Sequence, residues 1–237
     1  MRIATNLSMC EVRIQLLQED MAGLEGVTKI VIQRQDPKTL AWKEALSRPV
    51  AKPADAAFTA ADSYVATNKV YSYKVLYINA AATILKTVPL NCNVQYRGVC
   101  IGDGKGRAYL APFNVTYHHA RQTAVNYVQP FNSRFPIAVV GGAKNHEQGD
   151  VTGLFCPFDH ECPVLEDLTA YRHELVDFLC APGVKLLKTF DGYMWMVHVD
   201  SGAADKLDFV PDTETVSFSW TEVAEVPTDH MMRVVEA

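Results

Sequence analysis

The stretch VYSYKVLYI, residues 70–78, places Tyr71, Tyr73, Val75 and Tyr77 on one side of an extended chain. Aromatic and β-branched residues at a period of two read as a half-buried strand with an aromatic face. Upstream, CEVRIQLL (10–17) sets Val12, Ile14 and Leu16 against Arg13 and Gln15. TKIVIQR (28–34) alternates around Ile30 and Ile32 until Asp36-Pro37 breaks it, and AWKEAL (41–46) is a further strand around Trp42. A Pro- and Ala-rich stretch, 49–57, follows. About six short strands without a helix predict a β-sandwich, two sheets burying their inner faces against each other. We assign it to residues 1–88, because Pro89 interrupts pairing within a boundary at 86–90.

Residues 89–237 read as a second β-rich domain, barrel- or tube-like, carrying one main helix. Strands are expected at 92–101, 109–120, 122–129 and 149–155, and the apolar run PIAVV (136–140), bounded by Gly141-Gly142, is expected as a buried strand. Helical spacing of Leu165, Leu168, Tyr171, Leu175, Phe178 and Leu179 predicts a helix over 164–179, stopped by Ala181-Pro182-Gly183. Residues 185–190 and 193–199 form a hairpin whose Asp191-Gly192 tip suits the positive φ angles of a two-residue turn. The stretch 200–211 reads as a polar loop. A final strand, 213–223, aligns Val216, Phe218 and Trp220, and the tail from 225 packs on a neighbour or frays. The expected aromatic core is Trp42, Tyr71, Tyr73, Tyr171, Phe178, Trp195, Phe218 and Trp220.

With 237 residues, 49% hydrophobic and 21% charged, the chain has the composition of a folded globular protein. Its net charge of -5 gives no electrostatic drive toward nucleic acid. No apolar run approaches the roughly 20 residues of a membrane span, and the start lacks a signal peptide's apolar core and cleavage site. Synthesis in the cytoplasm, with six reduced cysteines rather than a disulfide framework, is the expectation.

Candidate chemistry is sparse. Cys156, His160 and Cys162, with His146 upstream, offer zinc-type donors in one loop. Their spacing lacks the paired short knuckles of a structural zinc site, so the expectation is a loop packed on its Cys and Phe residues, without a metal. His118 and His119, adjacent in a strand, point oppositely and cannot converge on one ion. The GDGKG turn (102–106) lacks the ending and setting of a phosphate loop. His173, Glu174 and Asp177 read as a solvated helix face. No nucleophile elbow or selected carboxylate pair appears, and no catalytic residue, cofactor or enzymatic activity is expected.

Two resemblances add to this reading. TKIVIQRQD, AWKEA and VYSYKVLYIN resemble fibronectin type III-like or immunoglobulin-like sandwiches. RFPIAVVGGAKNHEQGDVTGLF (134–155), YRHELVDFLCAPGVKLLKTFDGYMWMVHV (171–199) and VSFSWTEV (216–223) resemble distal tail and baseplate ring proteins of long-tailed bacteriophages. His146 stands where that family usually has an aromatic residue, and Cys156 with Cys162 is an uncommon addition. The resemblance implies a structural protein of the virion tail, a homo-oligomeric, hexameric ring joining the tail tube to hub or fibres. The alternative is a carbohydrate-binding module for host attachment, with Trp42, Tyr64 and Tyr71 as stacking residues.

Overall fold

The computed structural model describes residues 1–122, 125–131, 133–140, 146–159, 162–165, 168–206 and 214–235. The first seven strands are β1 (Arg2–Asn6), β2 (Glu11–Leu16), β3 (Val27–Gln35), β4 (Trp42–Pro49), β5 (Phe58–Asp62), β6 (Lys69–Asn79) and β7 (Ile84–Val94). There follow β8 (Val99–Gly102), β9 (Ala108–Ala111), β10 (Phe113–Gln122), β11 (Val125–Val128), β12 (Ile137–Val140), β13 (His146–Leu154), β14 (Phe158–Asp159) and β15 (Cys162–Pro163). Helix α1 (Leu168–Cys180) precedes β16 (Lys185–Lys188), β17 (Met194–Lys206), β18 (Glu214–Ala224) and β19 (Met232–Val235). The chain is therefore mainly β, as its alternation requires, and every strand pairing described is antiparallel.

Two four-stranded sheets, β1-β2-β5-β19 and β4-β3-β6-β7, share one core. Val12, Ile14 and Leu16 of β2 pack with Ile30 and Ile32 of β3 and with Tyr71, Tyr73, Val75 and Tyr77 of β6, all buried. Hydrophobic burial at alternate positions fixes the register, since a slip of one residue would turn this set to water. Trp42 departs from the expected core: it is half-buried, with Lys74 Nζ 3.8 Å from its ring centre. Lys74 alternates with buried Tyr73 and Val75, so this stack lies on the outer face of the sheet.

Two features alter the expected layout of this sandwich. Strand β7 runs through Pro89, opposite Lys74, and crosses the expected boundary at 88. It is an edge strand, where proline's missing N–H leaves no ladder partner unpaired. The tail, expected to pack on a neighbour or fray, instead returns to its own sandwich over residues 232–235, where β19 adds to β5 with Met232 opposite Asp62. Arg233 there pairs with the fully buried Glu11 at 2.7 Å, so the strand supplies a counter-charge as well as a sheet edge.

The remaining large sheet runs β10-β13-β18-β17-β16-β8-β9. No hydrogen-bonded ladder closes it into a barrel among the described residues; its edges instead meet at a corner. Pro112 alone separates β9 from β10, and the amide of Cys156, just past β13, donates to Leu110 O at 3.2 Å. The corner is tight, for a Cβ at Gly153 would stand 2.8 Å from Ala111 Cβ. Helix α1 covers this sheet with Leu175, Phe178 and Leu179, against Val197, Val199, Phe218 and Trp220. The helix begins at Leu168 rather than 164: Val164 N donates to Pro157 O at 2.9 Å, which ties Val164 to the β14–β15 hairpin, and Leu165 is exposed. Tyr171 is half-buried at the margin of this core, its ring 5.4 Å from Tyr109.

The stretch expected as a polar loop from 200 continues β17 as far as Lys206, opposite Glu214 of β18. At the β16–β17 tip, Thr189 N donates to Tyr193 O and Gly192 N to Thr189 O, both at 3.1 Å, and Gly192 alone takes positive φ (94°). That is a three-residue loop with glycine in the left-handed position, not the two-residue turn that Asp-Gly suggests. The tip rests on the sandwich through Asn68 Nδ2, which donates to Phe190 O at 3.1 Å. Deeper, buried Lys188 Nζ donates to Cys10 O at 2.5 Å. No described helix is long and apolar enough to cross a membrane.

Candidate functional site

The metal-ligating candidates among the described residues do not gather. Cys156 is fully buried, and burial pushes its thiol up to about 11, away from the thiolate a metal needs. Cys162 is exposed on the β14–β15 hairpin opposite Asp159, and His146 is exposed at the start of β13 opposite Gln122. His160 lies outside the described residues. Among the described residues no group of three or more His, Cys, Asp or Glu side chains could hold an ion. All six cysteines are free thiols.

The other polar candidates have local roles. His118 is exposed, whereas the neighbouring His119 turns inward with Nδ1 3.2 Å from Glu147 Oε2. Asp103 closes the GDGKG turn by accepting from the amides of Lys105 and Arg107. Glu174 accepts from Tyr109 Oη at 2.8 Å, while His173 and Asp177 face solvent.

The feature of the surface that most needs a partner is the β11–β12 hairpin. Its strands pair only with each other among the described strands, with Val128 opposite Ile137 and Tyr127 opposite Ala138. The apolar run at 136–140 is expected inside the core, but Ile137 is 57% and Val139 48% accessible. Tyr127, Phe131 and Phe135 are 71%, 97% and 70% accessible along the same arm. Cross-strand pairs share a face, so Val128 and Ile137 occupy one face of the ribbon and Tyr127 and Ala138 the other. A lone two-stranded ribbon is marginal in water, and an apolar one is costlier still, so both faces favour cover from another surface.

No family model matches the sequence, and a search of curated proteins finds no relative. Among solved structures, the chain is similar to one in the virion of a native gene transfer agent particle, at 8% identity over 58% of this chain and 95% of that one, with a TM-score of 0.36. It is also similar to one in the tail of an empty gene transfer agent particle of C6 symmetry, at 10% identity over 54% and 92%, with a TM-score of 0.33. Likenesses this slight leave fold and function to be argued from the residues.

A second surface feature is a column of aromatic rings rising from the core. Trp220 lies 4.8 Å from Trp195, which stacks 5.2 Å from Tyr193 at 6° between planes; exposure rises from 1% to 4% to 45% along the column. His119 touches both Tyr193 and Trp195. Glu147 orients the column by accepting from Trp195 Nε1 at 2.8 Å. Partial burial opposes its ionisation, but the bonds from Trp195, Arg121 and His119 outweigh that and hold its carboxyl below the usual range. Trp195 and Trp220 were legible in the sequence as core residues; Glu147 and His119 were not, because their pairing joins β10 to β13 and β17 across the sheet.

Proposed function

We propose that the chain is a structural protein of a bacteriophage tail or related tail-like machine, without enzymatic activity, which assembles with copies of itself through the β11–β12 arm. The exposed apolar arm carries this reading. Tyr127, Phe131, Phe135 and Ile137 project from an arm whose two strands pair with no other described strand. An identical subunit is the favoured occupant, because one repeated head-to-tail contact closes a ring when the rotation permits. The resemblance of residues 134–155, 171–199 and 216–223 to distal tail and baseplate proteins supports the same role. On this reading the assembly is a hexameric ring joining the tail tube to hub or fibres, and the sandwich faces outward.

Negative-stain imaging of the concentrated protein tests the proposal. Closed rings with one subunit repeat are the expected result. Particles of single-subunit size throughout, including after mixing with tail tube protein, would overturn it.

A further inference from the structure

A cleft of about 660 Å³ lies at the sandwich edge, but the depression better furnished for recognition lies where the sandwich meets the β16–β17 tip. This second cleft measures about 530 Å³, within the roughly 300–1,000 Å³ typical of small-molecule sites. Tyr64 and Tyr71 line it from the sandwich, Tyr193 from the hairpin tip, and Glu222 and Glu225 from the end of β18 and the segment after it.

The walls are held in place before any ligand arrives. Asn68 fastens the hairpin tip, and on the other side Lys43 Nζ donates to Thr228 Oγ1 and His230 N to Glu44 O, both at 2.8 Å. Tyr71 forms the floor, 4% exposed, its hydroxyl accepting from Ala66 N at 2.8 Å. Arg34, which also lines the cleft, is occupied by Asp62 and Tyr64 O. Asp36 is likewise occupied by two backbone amides and Lys43.

What remains available is a small and specific set. Tyr193 is 45% exposed, with Trp195 stacked at 5.2 Å. Among the described residues the hydroxyls of Tyr64 and Tyr193, the carboxylate of Glu225 and the ammonium of Lys69 have no hydrogen-bond or ion-pair partner. The unpaired ammonium groups of Lys38 and Lys69 are balanced by the carboxylates of Glu222 and Glu225, so the lining gives no net attraction for a polyanion, which needs clustered cations. Aromatic faces at Tyr64 and Tyr193, combined with the Tyr193 hydroxyl and the charged ends of Glu225 and Lys69, match a ligand that has apolar C–H faces and many hydroxyls.

We infer that this cleft binds a neutral oligosaccharide, with sugar rings packing on Tyr193 and Tyr64 and hydroxyls bonding to Glu225 and Lys69. Such a site would give a tail protein contact with a carbohydrate-bearing surface, but the inference stands on the cleft alone and not on the assembly reading.

Isothermal titration of the full chain with short oligomers of glucose, galactose and N-acetylglucosamine tests it, with tryptophan fluorescence recorded in parallel because Trp195 lies under Tyr193. One series should bind saturably and perturb the emission. Glu225→Ala and Lys69→Ala, both at exposed positions that leave the fold intact, should each weaken binding by roughly ten-fold, the loss of one charge-assisted hydrogen bond. No saturable heat from any series up to about 1 mM would overturn the inference. So would binding that persists unchanged in the double variant.

Discussion

Arg34 and Asp62 form an ion pair inside the sandwich, Nη1 to Oδ2 at 2.8 Å, with side chains only 5% and 0% exposed. The pair joins β3 of one sheet to β5 of the other, and Asp62 also accepts from Tyr73 Oη and the Tyr64 amide, both at 2.9 Å. Removing the carboxylate would leave a guanidinium buried without its counter-charge. Asp62→Ala is therefore expected to lower the unfolding free energy by about 3–5 kcal/mol, read from urea denaturation. A loss under about 1 kcal/mol, the value of a surface pair, would refute the buried arrangement.

The two tryptophan environments give a second test. Trp220, 1% exposed, sits among Trp195 and Phe218 in the core of the large sheet, and Trp220→Ala is expected to cost about 3–5 kcal/mol. Trp42, half-buried beneath Lys74, should cost much less on the same substitution, about 1 kcal/mol. Calorimetric melting of both variants checks the order; equal losses would place Trp42 in the core after all.

The pattern of these environments shows what the sequence makes legible. Period-two burial at Tyr71, Tyr73, Val75 and Tyr77, and again at Val216, Phe218 and Trp220, follows from alternation alone. Alternation cannot say which surface covers an apolar run, so residues 136–140 looked like core although Ile137 and Val139 lie exposed on a free ribbon. Nor does it register strands without apolar contrast: the DSGAADK end of β17 pairs with β18 although its residues read as loop. The path of β19 back to β5, and the cleft between Tyr64 and Tyr193, depend on contacts between segments far apart in the chain. No local pattern encodes them.

Acid dependence should reveal the turn after β3. The amides of Thr39 and Lys38 and the Lys43 ammonium hold the Asp36 carboxyl well below its ordinary range. A depressed carboxylate contributes stability that is fully present above the unfolded-state value of about 3.9 and is lost as pH falls toward the lower folded value. Asp36→Asn should accordingly flatten the acid limb of the stability profile and change little in its slope above neutral pH. Melting temperatures across an acid series check this; identical acid limbs for the two proteins would contradict it.

Tyr127→Ser and Phe135→Ser lie on the exposed arm, where substitutions leave monomer stability within about 0.5 kcal/mol. Neither should alter the melting temperature. Both remove apolar surface that the assembly reading buries against a neighbouring copy.

The most direct measurement is multi-angle light scattering of the wild-type chain and of an Ile137→Asp variant over a range of concentrations. The wild type should grow in mass with concentration toward a defined multimer, while Ile137→Asp stays at one subunit with an unchanged circular dichroism spectrum. A wild type that remains a single subunit at every concentration, or a multimer that Ile137→Asp leaves intact, would contradict assembly through the arm.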